Sequence, residues 1–94
     1  MISNSQIKII KSLRQKKYRL QHNQFVAEGD KTIIELINTS YKIVSLYSIN
    51  STIGSYENGI NKLTQVELSK ISNLSNPKNS LGIFEIPETP EIDF

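Results

Sequence analysis

Phe25-Val26-Ala27-Glu28-Gly29-Asp30-Lys31-Thr32-Ile33-Ile34-Glu35-Leu36-Ile37-Asn38 is the stretch whose reading decides the fold. Phe25 to Glu28 has the composition of a short strand, and Gly29 closes it. Asp30 then stands at the natural N-cap position of a helix. Within that helix Ile33, Ile34 and Ile37 recur at helical spacing with Leu36 beside them, while Lys31 and Glu35 form an i,i+4 pair on the wet side. Asn38-Thr39-Ser40 ends it. A strand running through a tight turn into an amphipathic helix is the repeating unit of α/β architectures.

Upstream, residues from about Ser5 to Leu20 place Ile7, Ile10, Leu13 or Arg14, and Lys17 at spacings of three and four, with Ser3, Asn4 or Ser5 available as a cap. The spacing predicts one helix, basic on its solvent side. Downstream, Ile43 to Ile49 is β-branched and aromatic enough for a buried strand, with Tyr41 and Tyr47 at the core or its edge. Ile53 and Tyr56 suggest a short helix over Ser51 to Gly59. A brief strand is expected over Lys62 to Gln65. Thr64 caps a helix from Gln65 to about Ser72, with Glu67 in the capping-box position and Val66, Leu68 and Ile71 facing inward. Ser72 to Ser80, rich in Ser and Asn around Pro77, reads as a loop. Leu81 to Ile86 is the last strand, stopped by Pro87. The alternation of strands and helices predicts a three-layer α/β/α sandwich around a small mixed or parallel sheet.

Ninety-four residues make one domain, which buries roughly 60 to 70 % of the surface its unfolded chain exposes. We place that domain at residues 1–87. Residues 88–94, with Glu88, Pro90, Glu91 and Asp93, read as the start of an acidic, Pro-containing linker to a further domain. No apolar run approaches the ~20 residues of a bilayer span, and the N-terminal residues show no contiguous hydrophobic region followed by a small-residue cleavage site, so the expectation is a cytoplasmic protein without membrane contact. Zero Cys and one His exclude disulfides, thiol catalysis and a zinc cluster. Gly54, Gly59 and Gly82 are too scattered for a phosphate-cradling loop, and no Ser stands in a nucleophile elbow.

The charge pattern is more informative than its sum. The formal net charge is +2, yet Lys8, Lys11, Arg14, Lys16, Lys17, Arg19 and Lys31 give seven of the eleven basic residues to the first thirty-one positions. The first carboxylate is Glu28. Such a run attracts a phosphate backbone through counterion release and charged hydrogen bonds. The candidate RNA contacts are Lys11, Arg14, Lys16, Lys17, Arg19, His22 and Lys31, with Lys8 beside them and Tyr18 or His22 as base or ribose contacts. The bland reading of the same run is a solvated helix face. Glu28 and Asp30 form a carboxylate pair, but an acidic residue at a helix start is more often a cap than a general acid or base.

The order of these elements adds a family resemblance. The basic segment Ile7 to Arg19, then Phe25-Val26-Ala27-Glu28-Gly29 and a helix from Asp30-Lys31, resembles the opening of the SpoU-type RNA 2′-O-ribose methyltransferases. Gln65 to Ile71 followed by Leu74-Ser75-Asn76-Pro77-Lys78-Asn79-Ser80-Leu81-Gly82-Ile83-Phe84 is similar to the helix, loop and strand that close the same family's substrate-binding domain. The loop departs from the Pro-Gln-Gly found in many members. The resemblance implies a fold similar to kink-turn-binding ribosomal proteins, and a role in holding ribosomal or transfer RNA for a separate C-terminal domain. That domain would bind S-adenosylmethionine, carry catalysis and form a homodimer, so the fragment itself is expected to be a monomer with no cofactor and no catalytic residue. The rival expectation is a non-catalytic protein-interaction or interdomain packing module, whose basic helix meets an acidic surface.

Overall fold

The computed structural model describes residues 2–87. Its elements run α1 (Asn4–Ser12), α2 (Lys16–His22), β1 (Gln24–Glu28), α3 (Asp30–Asn38), β2 (Ile43–Ser48), β3 (Ile60–Lys62), α4 (Gln65–Ile71) and β4 (Ser80–Glu85). The four strands form one mixed sheet in the order β1-β4-β2-β3. β4 lies between β1 and β2, antiparallel to both, and β3 pairs parallel with β2.

Strand alternation sorts the core into two layers. Leu81 and Ile83 of β4 and Tyr47 of β2 face Ile10 and Leu13 of the first helical segment and Leu68 and Ile71 of α4. Phe84 and Leu46, one residue out of phase, face Ile33 of α3 and Ile53. The sheet is therefore covered on both sides, with α1 and α4 on one face and α3 on the other, as the alternating pattern predicts. Burial of each large side chain such as Phe84 or Leu81 contributes about 1.5–3 kcal/mol. No helix among the described residues is long and apolar enough to cross a membrane.

Gly82 sits in the most crowded part of the inner strand. A Cβ there would lie 2.8 Å from the Phe84 ring, 3.1 Å from a Leu46 methyl and 3.4 Å from an Ile33 side-chain carbon, so Gly lets these three side chains meet. In β2, Ile43 pairs with Phe84 and Ser45 with Ile83, which leaves Val44 looped out as a bulge and exposed.

Several expectations shift. The single helix over Ser5 to Leu20 is two helices, because the chain turns at Leu13-Arg14-Gln15 and Gln15 is extended. The helix expected over Ser51 to Gly59 is a tight turn in which Ile53 and Tyr56 exchange backbone hydrogen bonds of 2.9 Å. Gly54 adopts φ 59° there, and Ile53 is fully buried against the α3 layer. The third strand falls at Ile60–Lys62, ahead of the expected Lys62 to Gln65. Val66 points outward at 65 % exposed, since it lies two residues from Leu68 and so on the opposite side of α4. Asp30 is the first helical residue of α3, with Gly29 at the N-cap. The linker expected at 88–94 lies outside the described residues.

The α4 cap stands as read. The Thr64 hydroxyl accepts the Glu67 N–H at 3.1 Å, and a Glu67 carboxylate oxygen accepts the Thr64 N–H at 2.9 Å. That backbone bond is the largest of the influences that hold the Glu67 carboxyl below its ordinary value. A second capping box, unforeseen in detail, opens α1: the Ser3 hydroxyl accepts the Gln6 N–H, and the Gln6 amide oxygen accepts the Ser3 N–H.

Candidate nucleic-acid interface

The N-terminal basic run folds as two short helices joined by a turn that buries Leu13 and leaves its cations outside. Ile10 and Leu13 anchor α1 to the core, which turns Lys8 and Lys11 toward a shallow concavity lined also by Asn4, Ser5 and Ile7. Lys8 is exposed and Lys11 half-buried. At the turn, the N–H groups of Leu13, Arg14 and Gln15 bond three residues back, to the carbonyls of Ile10, Lys11 and Ser12. The carbonyls of Leu13 and Arg14 are left for another donor, and Arg19 supplies it from α2. Its Nη1 donates to Leu13 O at 3.0 Å and to Arg14 O at 2.8 Å. Arg19 thus acts first as the strut between the helices, a structural task the charge pattern did not reveal.

α2 buries no residue, has no side-chain cap, and opens on the exposed pair Lys16-Lys17 with no acid in its first turn. Cations at a helix start oppose the macrodipole, costing about 0.3–1 kcal/mol at such a position. The sequence keeps them there. Tyr18 stacks on His22 with ring centroids 6.5 Å apart, and Lys17 Nζ lies 5.1 Å from the Tyr18 centroid. His22 is exposed at the end of α2, where Asn23 takes the left-handed conformation that lets the chain enter β1.

Arg14 faces the α4–β4 loop. Its Nε and Nη2 donate to the Asn73 side-chain oxygen at 3.2 and 3.0 Å. Asn73 is placed by β1: its backbone N–H donates to Glu28 Oε2 at 2.8 Å, while the Ser72 hydroxyl donates to Glu28 Oε1 at 2.6 Å. Asp30, two residues on, accepts from the Ser80 hydroxyl and from the Gly54 N–H. The Glu28-Gly29-Asp30 carboxylates are therefore neither an acid–base pair nor a cap. They are fasteners that hold the loop after α4, the start of β4 and the 53–56 turn against the end of β1.

Leu13, Arg14, Arg19, Phe25, Val26 and Asn73 line a cleft of about 490 Å³ between the α1–α2 turn and the outer edge of β1. The structure brings together Arg14 and Arg19 here, with Lys16 and Lys17 on the adjoining helix. Lys31 does not join them: it is exposed on the first turn of α3, in the layer on the other side of the sheet. Asn73, Phe25 and Val26 were missed as site residues. Asn73 lies in a Ser- and Asn-rich loop with no local signal, and the other two read as plain strand. Among the described residues no cluster of three or more His, Asp or Glu could hold a metal ion.

The chain matches the family model of the MRM3-like substrate binding domain over residues 4–83. A search of curated proteins by sequence finds no match. Among solved structures, a protein from Porphyromonas gingivalis assigned to the TrmH family of RNA methyltransferases is similar at TM-score 0.85 and 28 % identity, over 97 % of this chain and 38 % of that one. An rRNA methyltransferase from Sinorhizobium meliloti, also solved with AdoMet bound, is similar at TM-score 0.73 and 28 % identity, over 95 % of this chain and 36 % of that one. An RNA 2′-O ribose methyltransferase shares the fold at TM-score 0.75 and 18 % identity, over 98 % of this chain and 38 % of that one. The chain thus spans under two fifths of the length of each of these proteins. The match over nearly all of the folded residues settles the family: this chain belongs to the MRM3-like substrate binding domains, the N-terminal substrate-binding part of SpoU-type methyltransferases.

Proposed function

We propose that the chain recognises structured RNA, ribosomal or transfer, and presents a ribose 2′-hydroxyl to a catalytic domain outside residues 1–94. The observation that carries this reading is the α1–α2 surface. Its first twenty-seven residues contain no carboxylate, and Lys16 and Lys17 stand exposed against the dipole of their own helix. A phosphate backbone is the partner that turns this local electrostatic cost into a gain, and A-form RNA offers phosphates and 2′-hydroxyls rather than readable major-groove edges. Lys11, Arg14, Lys16, Lys17, Arg19 and His22 form the main contact surface. Lys31, on the α3 side, is a separate outlying contact.

In this reading S-adenosylmethionine, held by the other domain, supplies the methyl group. The residues of this chain bind and orient the RNA and touch no reacting atom. The whole enzyme works as a homodimer in the cytoplasm, while the isolated domain is a monomer. Tethering raises the effective concentration of RNA at the catalytic domain, so modest affinity in the isolated domain is sufficient. Titration against structured RNA at two salt concentrations, with the Lys16→Glu/Lys17→Glu pair as control, tests the proposal.

A further inference from the structure

We propose that the cleft between the α1–α2 turn and the free edge of β1 is a pocket for one unpaired nucleotide, its phosphate held by Arg14 and Arg19 and its base against β1. The inference rests on the RNA-binding reading and narrows it to a class of substrate: RNA with an extruded or single-stranded nucleotide beside a helix.

The charge in the cleft is oriented without being cancelled. Arg14 is held by the Asn73 side-chain oxygen, and Arg19 by the carbonyls of Leu13 and Arg14, all neutral acceptors. Each guanidinium is fixed by one side and keeps further N–H donors, the state in which two arginines suit a phosphate geometrically as well as electrostatically. Glu28, the carboxylate next along β1, is turned to Ser72 and the Asn73 N–H.

The strand edge supplies what a phosphate does not need. β1 is a terminal strand of the sheet. Gly29 N–H donates to Ser80 O, and Ile86 N–H donates to Asn23 O, so odd-numbered residues of this strand bond toward β4. The intervening Val26 therefore directs its N–H and C=O away from β4, to the open edge that lines the cleft. A donor and an acceptor on one residue match the polar edge of a nucleobase, and the half-buried Val26 side chain, on the α1 side of the sheet, gives the cleft its apolar wall. A cleft of about 490 Å³ is in the range of small-ligand sites. An unbroken duplex presents phosphates and 2′-hydroxyls but keeps its pairing edges occupied, whereas an unstacked base exposes both its face and its pairing edge.

The test uses the 94-residue chain and an RNA hairpin carrying one bulged 2-aminopurine, against the same hairpin with that nucleotide paired. The bulged RNA should bind about tenfold more tightly, near the lower end of what one two-bond contact to a base edge contributes, with a change in 2-aminopurine fluorescence. Arg14→Gln, and separately Asn73→Asp, which sets a carboxylate against Arg14, should bring the ratio close to one while circular dichroism stays unchanged. Lys16→Glu/Lys17→Glu should weaken both RNAs alike. Equal affinity for the two hairpins in the unmodified chain overturns the pocket and leaves RNA binding standing. Absence of binding to either RNA at low salt overturns both. Displacement of the RNA by an extended acidic peptide that binds more tightly than it assigns the cleft to a protein strand and also overturns the pocket.

Discussion

Glu28 at the end of β1 receives the backbone N–H of Asn73 at 2.8 Å, forty-five residues away in the chain, and so fixes the residue whose side chain orients Arg14. The carboxylate of a strand terminus thereby governs the direction of a guanidinium on the opposite wall of the cleft. Ser72 fills the other carboxylate oxygen and also accepts the Leu74 N–H, so the loop is pinned at successive residues.

Removing that carboxylate should loosen the loop before it affects the core. Glu28→Ala leaves the hydroxyl of the buried Ser72, and the exposed Asn73 N–H, without their charged acceptor, at about 2 kcal/mol of stability. Urea unfolding of this variant should show a lower midpoint with an unchanged slope. RNA affinity should fall as well, since Arg14 loses its support.

Arg19 makes a different demand. Arg19→Lys keeps the charge, but its ammonium sits on a shorter side chain than the Nη1 that donates to both the Leu13 and Arg14 carbonyls, so it does not reach them in the same geometry. The expected result is faster amide hydrogen exchange over residues 13–22 with little change in β4. Equal protection in both proteins would show that the helices hold their angle without the strut.

Gly82→Ala should be costly despite its small size. The new methyl falls 2.8 Å from the Phe84 ring and 3.1 Å from Leu46, inside a strand with no room to move, and overpacking of this kind costs about 1–3 kcal/mol. A thermal melt would read it directly as a lower Tm.

The α4 cap gives a pH signature. Glu67 has a folded pKa below its ordinary 4.5, so its contribution to stability is fully present above 4.5 and is lost as pH falls through the lowered folded value. Glu67→Gln should flatten that part of the acid limb of the stability curve. Thr64→Ala, which removes the hydroxyl acceptor, should cost about 1 kcal/mol at neutral pH.

Local chemistry made some of this readable in the sequence. The Thr64–Glu67 spacing, the Phe25–Asn38 strand, turn and helix, and the apolar run into Phe84 each carry their structure within a few residues. The break at Leu13–Gln15 does not, because helical periodicity continues through it with Leu13 and Arg14 as equal candidates, and the donor that completes the turn arrives from Arg19. The 53–56 turn depends on Ile53 finding the α3 layer and on Asp30 accepting the Gly54 N–H. The same limit hid the roles of Glu28 and Asp30: a cap or an acid–base pair can be imagined from neighbours, but their partners at Ser72, Asn73 and Ser80 lie more than forty residues on. The basic run itself was plain. Its division into a cleft pair, Arg14 and Arg19, an adjoining pair, Lys16 and Lys17, and the outlying Lys31 required the fold.

Whether the α1–α2 surface binds RNA is decided by a salt-resolved titration of the chain against structured RNA and duplex DNA of matched length. Binding should prefer RNA and weaken steeply between low and physiological salt. Lys16→Glu/Lys17→Glu should weaken it sharply without altering the melting curve. Equal binding to RNA and DNA that the charge reversal leaves untouched, or no binding at low salt, would contradict RNA recognition by this surface.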